Sequence, residues 1–306
     1  MLGLKGMAMG AADVVPGVSG GTIAFISGIY DELLDSLRRW TPAALGVWYR
    51  EGFLAFWEHT NGNFLLTVFG GVLLSIFSLA NVVSYALEYH PLLVWGFFFG
   101  LVVASVVYIG RGLALRNPQV WLGLAAGTLV ALLISFGKPM QLPDEWWMVF
   151  LAGSIAICAM ILPGVSGSFL LLLMGMYPVF IQAVADLNWW ILGCFLAGCV
   201  TGLLVFSHFL SWLLHRFREQ TLAVLTGFLI GSLNIIWPWK HTVQTYVDRH
   251  GEEVPLVQDN LWPMAYGSVT GNDPHTAMVL VLMALGLFLV LGLEYWASKN
   301  DENLSQ

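Results

Sequence analysis

Apolar residues gather into runs at 64–87, 92–109, 121–136, 190–214, 222–237 and 277–296. Each is about long enough to cross a hydrocarbon core of ~30 Å, which takes ~20 helical residues. Two further apolar stretches are broken by the same five residues, Pro-Gly-Val-Ser-Gly, at 16–20 and again at 163–167. Each copy is followed at the same distance by a glycine and a tyrosine: Gly28 and Tyr30, then Gly175 and Tyr177. A Pro-Gly break inside lipid frees backbone groups that lipid cannot satisfy. Two such breaks in corresponding halves point to a duplicated transporter whose broken helices face each other at a central site.

Composition sharpens the class. The chain is 58% hydrophobic and only 10% charged, against roughly 25% charged in a soluble domain. It cannot cover itself with water, so it reads as an integral membrane protein. Residues 1–30 carry one lysine and no secretory cleavage pattern, and they match a later segment, so they are expected to belong to the fold. Cys158, Cys194 and Cys199 all fall in apolar segments and are expected as small buried side chains. The net charge of −7 says little about partners, because position relative to the membrane matters more than the sum.

A shift of 147 residues (163 − 16) lays 4–30 over 151–177 with ten of 27 positions identical. A shift of 131 (227 − 96) then aligns Gly96 and Gly100 with Gly227 and Gly231, and Gly71 with Gly202. The difference of 16 residues falls in an extra stretch of the first half, where Arg38, Arg39, Arg50 and Glu51 mix with Trp48, Phe53, Phe56 and Trp57. That mixture predicts an amphipathic helix lying in the membrane interface.

The broken segments are about 27 residues long, too short for two full crossings at ~20 residues each. Treated as re-entrant hairpins, they put Lys5, Arg38, Arg39, Arg50, Arg111, Arg116, Arg216, Arg218 and Lys299 on one side. Only Lys138, Lys240 and Arg249 then lie on the other. Single broken crossings give a five-to-seven split with no usable bias, so the positive-inside rule selects hairpins.

The expected fold is therefore an all-α integral membrane protein of two inverted-topology repeats. Each repeat is a Pro-Gly-broken re-entrant helical hairpin plus three transmembrane helices. The first covers 1–143, with its hairpin at 4–30 and its interfacial helix at about 40–60. The second covers 144–306, with its hairpin at 149–177 and an outside loop at 240–275. Both termini are expected in the cytoplasm.

In such a hairpin the second half-helix starts deep in the membrane. Its first N–H groups lack partners and carry the positive end of the helix dipole. Gly17, Gly20, Gly21, Gly164 and Gly167 let another atom come close, and Ser19, Thr22, Ser166 and Ser168 offer hydroxyls. Phosphate or carboxylate fits such a site. The alternative is a tight intramembrane turn, with the serines capping their own helices and the glycines allowing close packing.

Asp13 sits three positions before Pro16, where the second copy has Met160. An intramembrane carboxylate is a functional candidate. It reads as a coupling residue that carries a proton, or as a cation ligand, and should be neutral whenever an anion is bound. The alternative has it capping a neighbouring helix end or pairing with Lys5.

His208 reads as a structural histidine or a proton relay. Glu88, His90, His215 and Arg216 read as solvated charges near span ends, and Asn81 and Asn234 as links to neighbouring helices. Trp146, Trp147, Trp189, Trp190, Trp237 and Trp239 read as aromatic belts. No nucleotide-binding loop, metal-ligand cluster or nucleophile–base pair is visible, so no enzyme activity and no cofactor are expected, and no nucleic-acid partner.

Residues 10–25, Gly-Ala-Ala-Asp-Val-Val-Pro-Gly-Val-Ser-Gly-Gly-Thr-Ile-Ala-Phe, with Gly28-Ile29-Tyr30 after them, resemble the opening of a bacterial membrane family now associated with polyprenyl-phosphate transport. Length, second motif and span pattern all fit, so the resemblance covers essentially the whole chain. It implies that the substrate is undecaprenyl phosphate, returned from the outer to the cytoplasmic leaflet of the bacterial inner membrane. With that substrate, the residue-level reading puts the phosphate on the motif residues named above, with Lys5 attracting the head group and a proton or sodium gradient as the expected drive. A carrier or channel for a small soluble anion, and a membrane scaffold that transports nothing, are the competing readings.

Overall fold

A computed structural model describes residues 1–15, 18–137, 140, 142–143, 145–247 and 253–304. The first half runs α1 (Leu2–Asp13), α2 (Gly20–Ile26), α3 (Tyr30–Arg38), α4 (Pro42–Glu51), α5 (Phe53–His59), α6 (Gly62–Tyr89), α7 (Pro91–Arg111) and α8 (Pro118–Ser135). The second runs α9 (Trp146–Ile161), α10 (Gly167–Leu173), α11 (Met176–Ala185), α12 (Trp189–Arg216) and α13 (Arg218–Ser232). It continues with an antiparallel pair, β1 (Lys240–Val247) and β2 (Glu253–Asn260), then α14 (Pro263–Thr270) and α15 (Thr276–Leu304).

The helix starts follow local chemistry. Pro42, Pro91, Pro118 and Pro263 stand in the first turn, where proline's missing N–H has no partner to lose. Asn117 and Asn188 cap α8 and α12 with their side-chain oxygens. Gly175, at φ +69°, makes the left-handed turn from α10 into α11, and the two helices diverge by 106°.

The helices pair in a pattern that repeats. α1 packs along α6 as α9 packs along α12. Then the halves cross over: α7 packs on α15, and α13 on α8. Glycines set these contacts. A Cβ on Gly96 or Gly100 would strike Val279 or Met283 of α15, and one on Gly227 or Gly231 would strike Leu124 or Ala131 of α8. The sequence-aligned Gly-x-x-x-Gly pairs thus make equivalent approaches in the two halves. Where lipid removes the hydrophobic driving force between helices, such close van der Waals contact is what holds them.

Helices α6, α7, α8 and α12 are long and apolar enough to span a bilayer, and the bent pair α10–α11 makes a fifth candidate. Their outward surfaces are apolar, with Phe77, Leu122 and Val205 largely exposed. The chain is a mostly helical membrane protein.

Several expectations need correction. The fold is not purely helical, since Lys240–Val247 and Glu253–Asn260 pair as antiparallel strands within the stretch expected as an outside loop. The β-branched and aromatic residues Thr242, Val243, Thr245, Tyr246 and Val247 favour that conformation. The interfacial helix at 40–60 is two helices, broken at Gly52 with φ +90°. The run at 222–237 is helical only to Ser232, in a helix of 15 residues that starts at the polar Arg218-Glu219-Gln220, which is short for a crossing. The run at 277–296 lies within the single helix α15. The three cysteines are half-buried free thiols, with Cys158 and Cys199 donating to the carbonyls of Gly202 and Gly153.

Candidate functional site

The two Pro-Gly-Val-Ser-Gly segments meet. Ser19 donates its hydroxyl to the Met160 carbonyl at 2.8 Å, Gly164 donates its amide to the Thr22 hydroxyl at 2.9 Å, and Tyr30 donates to the Ile161 carbonyl at 3.1 Å. Gly21 lies so close to the carbonyls of Met160 and Ile161 that a Cβ would collide with both. Gly167, in turn, presses α10 back against the Ala156 carbonyl of α9.

Each serine also caps its own short helix. Ser19 accepts from the Gly21 amide at 3.0 Å, and Ser166 accepts from the Phe169 amide at 3.4 Å. Ser166 lies 3.0 Å from the exposed Ser168 hydroxyl. Among the described residues the amides of Gly167 and Ser168 have no hydrogen-bond partner, as the first turn of a helix leaves them.

The two helix starts differ in charge. Asp13, at the end of α1, accepts the Gly20 amide at 2.6 Å, so a carboxylate already stands on the first turn of α2. The counterpart at α10 is Met160, which carries no charge. Lys5 neither pairs with Asp13 nor points a free ammonium at the motif, because its Nζ donates to the Ser27 carbonyl at 2.6 Å.

Ser19, Gly20, Gly21 and Thr22 are buried against the end of α9 and Gly164, with Asp13 beside them, while Ser166 and Gly167 are buried at the start of α10 with Ser168 exposed next to them. Pro16 and Gly17 lie outside the described residues, as do Lys138, Asp248, Arg249 and Glu252. His208 is exposed and bonded to the Leu204 carbonyl of its own helix. Asn234 reaches Ser135 of α8 at 2.6 Å. Trp239 is not on a belt; it is buried, and its indole donates to the Pro274 carbonyl.

One cluster escaped the reading of the sequence. Asp31 and Asp35 of α3 face Ser211 and His215 of α12 and Arg218 of α13 around a cavity of about 210 Å³, and Arg38 pairs with Asp35. Arg218 pairs with Asp31 at 2.9 Å, and Asp35 accepts from Ser211 at 2.7 Å with the His215 ring at 3.9 Å. The signal was present in Asp31, Asp35 and Arg38 at i, i+4 and i+7 of α3 and in Ser211 and His215 at i and i+4 of α12, each set sharing a helix face. Their partnership across the molecule was not.

The chain is a polytopic helical membrane protein in which two interrupted segments touch through a buried hydroxyl and amide. The particular family follows from comparison. A family model described as VCA0040-like, undecaprenyl phosphate translocase-like, matches residues 9–254, and the chain belongs to that family. It is 51% identical over 296 residues to a polyprenyl-phosphate transporter of Vibrio cholerae serotype O1, covering 97% of this chain and 96% of the relative. It is 33% identical over 256 residues to a polyprenyl-phosphate transporter of Staphylococcus aureus, covering 77% and 85%. No solved structure matches the chain.

Proposed function

We propose that the protein is a flippase that carries undecaprenyl phosphate from the outer to the cytoplasmic leaflet of the inner membrane. The names of its relatives support the substrate class. The observation that carries the mechanism is the Asp13 carboxylate on the Gly20 amide at 2.6 Å. An anion is already held at the start of α2, at the point where the two motifs meet.

In this reading the two halves are inverted repeats with re-entrant hairpins, and alternating access moves one half against the other. The phosphate enters against Ser166, Gly167 and Ser168, whose helix start holds no acid. Two anions cannot share the facing helix ends, so Asp13 takes up a proton as the phosphate moves onto Gly20 and Gly21. Gly17 and Gly164 leave room for the head group, and the prenyl chain stays in lipid. Ser19 and Thr22 clasp the facing segment in the empty protein and turn to the phosphate when the halves part. That clasp keeps buried hydroxyls satisfied between cycles. Lys5, tied to Ser27, holds α1 against the end of α2 and leaves head-group attraction to another residue. Proton uptake by Asp13 outside and release inside supplies the coupling.

The test is transport in proteoliposomes with undecaprenyl phosphate, challenged by inorganic phosphate and glycerol phosphate. Movement of the lipid unaffected by the soluble phosphates supports the reading. Uptake of the soluble phosphates without lipid movement sinks it and leaves a small-anion carrier.

A further inference from the structure

Lys240 opens β1, just beyond the turn that follows α13, and its ammonium stands 3.9 Å from the centre of the Trp95 ring in the first turns of α7. The residue is half-buried, and among the described residues no acidic side chain pairs with it. Phe99, one turn along α7 from Trp95, opens a chain of aromatic contacts: Trp237 touches Phe99 at 5.4 Å, Trp239 at 5.5 Å and Trp262 at 6.1 Å. Trp262 in turn walls an open apolar groove of about 720 Å³ with Pro263, Met264, Gly267, Pro274 and Thr276.

A desolvated ammonium with only a ring face for company is under-compensated, since a cation–π contact contributes ~0.5–2 kcal/mol while burial of an unpaired charge costs more. Burial pushes its pKa down to about 7. A phosphate monoester, at about −1.5 to −2 charge near pH 7, supplies the missing counter-charge, and lysine binds phosphate as a point charge. Trp262 is exposed, and exposed tryptophans of membrane proteins gather at head-group depth. A cation joined through this aromatic chain to an apolar groove matches a lipid with one anionic head and a hydrocarbon chain.

We propose that Lys240 and the groove walled by Trp262 form a reception site for polyprenyl phosphate, which takes the head group before it reaches the hairpins. Trp95 holds the ammonium in place, and the groove receives the first isoprene units. The proposal rests on the transport reading above and deepens it: it names the cation that the sequence had sought in Lys5. The bland alternative is a strut, in which Lys240 only pins β1 to α7.

The experiment uses the wild-type protein in liposomes and follows acetylation of Lys240 by mass spectrometry, with undecaprenyl phosphate or undecaprenol added. Protection by the phosphate and not by the alcohol is expected. Equal protection by both, or by neither, overturns the reception site. Transport by Lys240→Gln and Lys240→Arg supplies the second arm. Loss of one charge-assisted contact should raise the half-saturating lipid concentration about tenfold in Lys240→Gln, and Lys240→Arg should restore most of it. A Lys240→Gln curve that overlays wild type overturns the proposal while leaving the transporter reading intact. Absence of lipid movement in wild type would instead strike the transporter reading itself.

Discussion

The Thr22 hydroxyl accepts the Gly164 amide at 2.9 Å, so a side chain of the first motif holds the turn of the second. Gly164 sits at φ +83°, a left-handed conformation, with its Cα face against the Phe228 carbonyl. A glycine is required there, and its N–H is buried in the contact, so Thr22 supplies what lipid could not.

Thr22→Val keeps the shape and removes the acceptor. Leaving the Gly164 amide unsatisfied should cost ~1–3 kcal/mol, read as a lower melting temperature in detergent. An unchanged melting temperature would mean that the clasp is not a stabilising contact.

The glycine seams should tolerate bulk at some positions and not at others. Gly100→Leu drives a side chain into the Met283 backbone and should prevent recovery of folded protein. Gly110→Ala, where a Cβ meets open space, should be harmless or should gain up to ~1 kcal/mol from helix propensity. Similar yields for the two variants would contradict the packing.

Asp13→Asn retains an oxygen for the Gly20 amide but cannot carry a proton. The fold should survive, and transport should lose its response to an imposed proton gradient. A mutant that still answers the gradient would remove Asp13 from the coupling role.

The cluster between α3 and α12–α13 closes one mouth of the molecule in the transport reading, and parting of the halves must break it. Asp35→Ala frees Arg38, Ser211 and His215 at once. Exposed ion pairs contribute only ~0–1 kcal/mol each, so stability should hardly change while the mouth opens more often. A Leu214→Cys reporter, buried beside the cluster and placed in a chain freed of its own cysteines, should react several-fold faster with a water-soluble maleimide. Equal labelling rates would show that the cluster does not hold the mouth shut.

Lys240 also predicts a pH effect of definite sign. Its pKa of about 7 lies below the 10.5 of a free lysine, through burial. Between those values the unfolded chain holds more protons, so stability rises with pH across that window. Below about 7 both states are protonated and the full penalty of the buried charge is present. Lys240→Met should therefore melt higher than wild type near pH 6, with the gap narrowing towards pH 10. A gap that does not depend on pH would contradict the burial of the charge.

Much of this architecture was written plainly in the chain. Lipid demands long apolar runs, and the duplicated Pro-Gly break shows through because few other residues could stand there. The paired glycines at 96 and 100, and at 227 and 231, announced matching helices, although not that each would pack on the last apolar helix of the other half. Contacts such as Ser19 with Met160 join residues 141 positions apart and leave no local trace. The strand pair was hidden by the acidic and polar residues around it, which read equally well as a loop. Lys240 counted only as one of three outside charges, because a lone lysine at a span end has no pattern and only the fold brings Trp95 beneath it.

The central claim is that the two facing motifs hold the phosphate. It is tested by the accessibility of fluorescent undecaprenyl phosphate to an external phosphatase in liposomes carrying wild type or a folded Ser19→Ala/Ser166→Ala variant. The account predicts protein-dependent flipping in wild type and its loss in the variant. Flipping that continues unchanged in the folded variant would contradict it.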